Sequence, residues 1–321
     1  MNTVLVGAGY WGKNFERILK KTSNNLNLKY IVDSNIEIDG YTCFKNIDEL
    51  DTVLNDIQCA IVCTPTQTHH TIVDYFLDNK INVLVEKPLT VNSKNAKELF
   101  EKAAQNNLVL LVDHTFLYNS SIDYLKKIIE SEELGNIVHL SFERTNLGPV
   151  RTDVSCLWDL ATHDISIACA LLDDYPKIVS SGGYSIKSNK IYDIVNFSLG
   201  YKNCFVSVLA SWLHPEKSRK IKIVGTKKMV VFDDMNLNEP IKIYDKKIED
   251  LNSKNTDFGS IFSFSIGDVL SPYIKLKEPL NEVVLDFENR VINGETDYPL
   301  NNQELTINVI SILEEVENSI N

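Results

Sequence analysis

The sequence predicts an α/β fold in two parts: a parallel-sheet domain over residues 1–117, then an α+β domain over 118–321 with a large, mostly antiparallel open sheet. Three observations carry this. The length of 321 residues suits two domains of ordinary size. The first third alternates continuous apolar runs of strand length with helix-period segments, the pattern of a parallel sheet covered on both faces. From about Tyr118 the runs become apolar–polar alternations, the pattern of antiparallel strands with one face on helices.

Taken in order, Thr3–Val6 is a short apolar run that closes on glycines. Lys13–Lys21 follows with Phe15, Ile18 and Leu19 on one helix face. Leu28–Val32 is a second strand, ending at Asp33, and Tyr41–Phe44 a weak third. Cys59–Cys63 is continuously apolar and leads into a loop, Thr64–His69, and a helix around Thr71–Asn79. Asn82–Val85 runs into Glu86-Lys87-Pro88. Ser93–Asn106 reads as a helix with Ser93 as its cap, and Val109–Val112 ends at Asp113-His114. Right-handed crossovers are expected between these strands. In the second part, a helix at Ile122–Glu130 precedes a strand at Ile137–Phe142, and Leu157–Leu172 is helical. Alternating strands follow at Ile178–Ile186, Ile191–Leu199, Cys204–Leu213, Arg219–Val224, Met229–Phe232 and Ile241–Tyr244, with a hairpin turn around Tyr201–Asn203. Asn255–Gly267 yields no reading. Helical patterns at Asn281–Ile292 and Gln303–Ile320 close the chain, the last a candidate to pack back on the first domain.

Composition narrows the function classes. With 44% hydrophobic and 24% charged residues the chain is globular rather than disordered. A net charge of −12 would repel a long duplex, so no nucleic-acid partner is expected. No stretch reaches 18 apolar residues, so no membrane partner is expected, and MNTVLVGAG enters a strand without a leader-like segment. The six cysteines form no C-x-x-C and fit neither a zinc site nor a disulfide framework; no metal, reduced thiols and a cytoplasmic location are expected.

Gly7-x-Gly9-x-x-Gly12 sits between a strand and a helix. Its glycines allow a tight turn, close approach of a pyrophosphate and close helix–strand packing, while the helix N-terminus offers free N–H groups. Asp33, 21 residues beyond Gly12 at the end of the second strand, can accept ribose hydroxyls and would repel a 2′-phosphate, which favours NAD over NADP. Together they read as a Rossmann dinucleotide-binding domain. Gly7, Asp33, Thr64, Lys87 and His114 all follow strand ends, so a parallel sheet gathers them at one edge, where ligands bind. Pro65 holds Thr64 extended beside that edge. Lys87, after an apolar strand and before a proline, is placed for partial desolvation, although an isolated lysine is ordinarily solvated. Asp159 and His163, four apart on an apolar helix, share a face and suit proton transfer from an alcohol; the plain alternative is a helix-start aspartate with a core histidine.

These residues resemble the Gfo/Idh/MocA oxidoreductases. GAGYWG at 7–12, TPTQTHH at 64–70, EKPL at 86–89 and the Asp159/His163 pair match that family in order and spacing over essentially the whole chain. The resemblance implies an active-site lysine at Lys87, a substrate-facing pair in Asp159 and His163, a loop histidine beside the nicotinamide at His69, and cofactor positioning by Glu86. It implies cofactor contacts from Gly7, Gly9, Tyr10, Trp11, Gly12, Asp33, Thr64, Pro65, His69, Glu86 and Lys87.

Segments 113–122, 146–167 and 211–234 resemble more narrowly the bacterial sugar-nucleotide 3-dehydrogenases, with Thr162 where proline is expected. This implies NAD-dependent oxidation of the 3′-hydroxyl of a UDP-linked N-acetylhexosamine, UDP-N-acetylglucosamine or its uronic acid, with Asn146, Arg151, Trp158 and His163 on the substrate. The keto product would feed an aminotransferase in surface-polysaccharide or lipid A sugar synthesis. Arg151 suits an anionic group or, equally, a structural ion pair, and Trp158 and Trp212 suit a sugar or base ring or the core. A homodimer or homotetramer through the open sheet is expected by analogy. Three alternatives stay open: a dehydrogenase of a free polyol or sugar such as inositol, NADPH-dependent reduction of a 3-keto deoxysugar nucleotide, and a non-catalytic cofactor-binding regulator.

Overall fold

A computed structural model describes residues 1–21, 25–36, 38–151, 153–186, 191–250 and 262–320. The chain forms two compact units. The first comprises Met1–Asn119 and Lys277–Glu314, the second Ser120–Leu276 and Glu315–Asn321. The expected second segment, 118–321, is therefore not continuous, because residues 277–314 lie in the first unit.

The first unit begins β1 (Asn2–Val6), α1 (Tyr10–Lys21), β2 (Asn27–Val32), β3 (Thr42–Phe44), β4 (Cys59–Val62), α2 (Thr66–Asp78), β5 (Asn82–Glu86), α3 (Ser93–Gln105) and β6 (Leu110–Asp113). The strands form one sheet in the order β3-β2-β1-β4-β5-β6, every pair parallel. Its centre is the apolar runs read from the sequence: Val4, Leu5, Ala60, Ile61, Val83 and Leu84 are wholly buried. The order reverses direction between β1 and β4, the crevice where such sheets bind ligands.

Three local readings are corrected. Helix α1 starts at Tyr10, not Lys13, so Gly12 lies inside it. Helix α2 starts at Thr66, not near Thr71, and absorbs most of the expected loop. Pro65 stands extended at its N-cap, and the Thr68 hydroxyl lies 2.8 Å from both Pro65 O and Thr64 Oγ1, closing the turn by side-chain bonding. The cap of α3 is Asn92, whose side chain accepts from the Asn95 N–H, rather than Ser93.

The second unit carries α4 (Ser120–Glu130), β7 (Ile137–Leu147), α5 (Thr162–Leu172), β8 (Lys177–Tyr184), β9 (Ile194–Gly200), β10 (Phe205–Ser211), β11 (Leu213–Gly225), β12 (Met229–Asp233), β13 (Ile241–Asp250) and β14 (Phe262–Leu270). These eight strands form one sheet, β14-β13-β12-β11-β7-β10-β9-β8, antiparallel except for β7 with β10. The hairpin at Tyr201 is present, its N–H donating to Cys204 O at 2.8 Å. The unread segment Asn255–Gly267 divides: residues through 261 lie outside the described residues, and the rest begins β14. One face of the sheet buries Leu140, Phe142, Val195, Phe197, Val206 and Val208. The opposite face carries Phe205, which is 42% exposed, beside part-buried His139, Ser207 and Leu209.

The chain then returns to the first unit with α6 (Pro279–Asn293) and the greater part of α7 (Gln303–Ser319). Val283, Val284 and Phe287 of α6 are wholly buried. A polar network seals this return. Asp286 accepts from the Tyr118 hydroxyl at 2.7 Å and from Arg290 Nε at 2.9 Å, and Asn301 Nδ2 donates to Val112 O at 3.0 Å. The return completes the cover over β6, which is the physical reason that residues 277–314 belong with the first sheet.

Candidate active site

In the first unit, β1, β2, β4, β5 and β6 end at Val6, Val32, Val62, Glu86 and Asp113. Because the strands are parallel, Gly7, Asp33, Thr64, Lys87 and His114 stand along one edge. Gly7 has φ +92°, and a Cβ there would lie 2.7 Å from Cys63 O; one on Gly12 would lie 2.0 Å from Gly7 O. These two glycines are required by the protein's own packing. Above Gly9 nothing lies within 4 Å of a Cβ position, so that face is open for a ligand to approach the backbone. Tyr10, 79% exposed, and Trp11 stand at the first turn of α1.

Asp33 Oδ2 accepts from the Ala8 N–H at 2.8 Å, and Oδ1 from Asn35 and Ile36, each at 2.9 Å. Burial favours the protonated acid, but the bonds from Asn35, Ala8 and Ile36, with the charge of Lys45, outweigh it and hold the carboxyl below its usual range. The result is a fixed negative charge beside the glycine turn, which suits ribose hydroxyls and opposes a 2′-phosphate. The turn, the open face over Gly9, the α1 N-terminus and this carboxylate together fit NAD.

At the neighbouring corner the structure shows what surrounds two of the expected site residues. His69, expected beside the nicotinamide, is 1% exposed, with Nδ1 2.9 Å from Pro88 O and Nε2 2.8 Å from Thr64 O. A neutral ring donates from one of these nitrogens only, so His69 ties one of the two carbonyls at this edge. The expected role of Glu86 is to position the cofactor. It is 6% exposed and faces Asp113, its register partner on β6. Lys87 between them is half-buried. His114 is buried; Thr306 Oγ1 donates to Asn302 O and so accepts from His114 Nε2, at 3.2 Å. Burial first, and then the Lys87 charge, lower the His114 pKa to about 3, so the ring is neutral.

In the second unit, the helix expected over Leu157–Leu172 is divided. Leu157–Ala161 is a wider π-turn, and α5 proper begins at Thr162, whose hydroxyl bonds back to Trp158 O. Asp159 and His163 therefore straddle a change of helix type, each half-buried. Asp159 Oδ1 accepts from Arg151 Nη1 at 3.1 Å. The fork of Arg151, expected to take an anionic substrate group, is filled by Asp153 through Nε at 2.9 Å and Nη2 at 2.5 Å. Trp158 is also corrected: it is 2% exposed, enclosed in the core, and offers no ring face to a sugar. Trp212, at 1%, is enclosed likewise. Asn146 Nδ2 donates to Gly148 O at the end of β7. Next to His163, Asp164 forms a buried ion pair with Arg144, at 2.8 Å, which fastens α5 to β7.

A family model described as the oxidoreductase family, NAD-binding Rossmann fold, matches residues 1–114, and the GFO/IDH/MocA C-terminal domain matches residues 122–231. The chain belongs to the Gfo/Idh/MocA oxidoreductase family. Among relatives in that family, the UDP-N-acetylglucosamine 3-dehydrogenase of Acidithiobacillus ferrooxidans is 24% identical over 242 residues, which is 74% of this chain and 75% of that protein. Its solved structure matches with a TM-score of 0.80 at 19% identity, covering 100% of this chain and 97% of that one. GenD2 from gentamicin A biosynthesis, solved in complex with NAD, also gives 0.80 at 19% identity, with 99% and 93% covered. Both structures share the two-sheet Gfo/Idh/MocA fold. Asp113 and Asp153, neither singled out in the sequence, each turn out to face an expected site residue.

Proposed function

We propose that the chain oxidises the 3′-hydroxyl of a UDP-linked N-acetylhexosamine, UDP-N-acetylglucosamine or its uronic acid, to the 3-keto sugar nucleotide. The observation that carries this reading is the match to a UDP-N-acetylglucosamine 3-dehydrogenase, longer than either family segment alone. The fixed Asp33 carboxylate supports NAD as the oxidant and disfavours the reductive, NADPH-dependent alternative. Bound NAD supplies a hydride acceptor. In the first unit, the Lys87 ammonium donates to the substrate oxygen as the carbonyl forms. In the second, His163 takes the hydroxyl proton and Asp159, anchored by Arg151, orients it. Arg151 thus acts on Asp159 rather than on substrate. The carbonyl product is one an aminotransferase can consume, as surface-polysaccharide or lipid A sugar synthesis requires.

Mass spectrometry of both sugar nucleotides after incubation with protein and NAD, with and without 2-oxoglutarate, tests the reading. Loss of two hydrogens from one of them is the expected result. Dependence on 2-oxoglutarate identifies a cofactor recycled in place. No change in either, together with oxidation of inositol that UDP fails to inhibit, overturns the substrate assignment. Lys87→Ala and His163→Ala should each lower turnover by about 10²–10⁴, the range for a positioned acid–base group. Wild-type rates in both variants would remove these residues from the mechanism.

A further inference from the structure

The carboxyls of Glu86 and Asp113 end β5 and β6 directly opposite one another in the strand register. In-register residues of neighbouring parallel strands point to the same face, so the two groups lie side by side. Both are enclosed, at 6% and 0% exposure. Thr115 Oγ1 donates to Asp113 Oδ1 at 2.7 Å, and the Lys87 backbone N–H bonds the Glu86 carboxyl. Glu86 Oε1 and Asp113 Oδ2 are left as buried oxygens without a donor among the described residues. Two ionised carboxylates offer only acceptors and repel each other. A proton on one of them gives both oxygens a partner.

The charges around the pair set the number of protons. The Lys87 charge bears on both carboxyls. Cys63, after β4, is half-buried, and loss of solvent around its sulfur first, then the nearby carboxyls, keep it a thiol. His114 is neutral. Two ionised carboxylates side by side would bury adjacent like charges, and the Lys87 charge favours keeping one of the two ionised.

We propose that Glu86 and Asp113 hold one proton between them and present a single negative charge to Lys87, which makes Asp113 a positioning residue for that lysine. The proposal rests on the reading of Lys87 as the active-site lysine. The shared proton stays with the pair during turnover and is distinct from the one lost by the substrate. The same arrangement accounts for the enclosure of the Glu86 carboxyl.

Infrared spectra of the full-length protein at neutral pH test this without reference to activity. A protonated-carboxyl band is expected in the wild type, shifted by ¹³C-carboxyl labelling of Glu or Asp. It should vanish in both Glu86→Gln and Asp113→Asn, where the new amide donates to the remaining carboxylate. No band in the wild type, no shift with either label, or a band that survives in either variant overturns proton sharing. If the variants fail to fold, the labelled wild type alone decides. For positioning, Asp113→Leu should lower turnover about 10²-fold, the scale for a misplaced catalytic group, and Asp113→Asn should restore most of it. Undiminished turnover in Asp113→Leu overturns the role of Asp113, whereas undiminished turnover in Lys87→Ala overturns the reading of the lysine itself.

Discussion

Asp113 and His114 are neighbours in the chain and titrate in opposite senses. Burial is the larger cause for each. It pushes the Asp113 carboxyl up to about 6 against opposing bonds from Thr115 and Glu86, and the His114 ring down to about 3 with help from Lys87. A raised carboxyl contributes stability that is complete below its unfolded value, about 4, and is lost as pH rises through the folded value. A depressed histidine contributes stability that is complete above about 6.5 and is lost as pH falls towards its folded value. Between about pH 4 and pH 6 the two trends oppose each other. His114→Phe removes one of them, so its stability relative to wild type should rise on acidification from about pH 6.5 to pH 4, by roughly 2–3 kcal/mol. Urea midpoints across that range measure it, and an unchanged difference would refute the assignment. Residues such as Gly7, Asp33 and Lys87 were legible because each follows a strand that announces itself locally. The partners were not. Asp113 meets Glu86 through a register between strands, and His69 meets carbonyls 5 and 19 residues away. Such pairings exist only after folding, and no local periodicity encodes them.

At the level of elements, the parallel sheet was legible strand by strand, because a continuous apolar run of four or five residues closed by polar ones suits a strand buried on both faces and little else. Helix starts were less so. Helix α2 begins five residues early because Thr68 bonds back to the Pro65 turn, an interaction that hydropathy does not register. The division of the expected 157–172 helix depends on Thr162 bonding to Trp158 O, again a side-chain effect. The glycine turn offers a direct test of which requirement each glycine serves. Gly12→Ala sets a Cβ 2.0 Å from Gly7 O, against backbone that cannot yield, and should destabilise the protein by about 1–3 kcal/mol or more. Gly9→Ala meets nothing within 4 Å and should fold with wild-type stability while binding NAD more weakly. Thermal unfolding and NAD titration of the two variants separate these outcomes; equal loss of stability in both would show that Gly9 serves packing alone.

For the molecule as a whole, the open face of the second sheet is the surface on which we place self-association. Phe205 stands out from it, stacked on His139 at 5.8 Å between ring centroids, with Leu209 on the same face of the same strand. A second copy would cover this half-apolar face. Leu209→Arg should reduce a dimer or tetramer to monomers in sedimentation equilibrium while leaving the thermal transition of the monomer intact. A wild-type chain that sediments as a monomer at all concentrations would exclude this assembly. The two-sheet architecture was legible in the sequence, but of the return of residues 277–314 to the first sheet only the final helix was a candidate. Helical periodicity shows that such helices exist and does not say which sheet they cover.

That return has a consequence for how the protein is made. On a ribosome, β1 to β6 emerge first, yet α6 and most of α7 follow only after the whole second sheet has been translated. Domains ordinarily mature in the order of synthesis. Here the nucleotide-binding half must wait, with the β6 side uncovered, until the last part of its own cover leaves the exit tunnel. A truncated nascent chain would release a strand-rich half with an open flank at β6, exposed until α6 and most of α7 have been made.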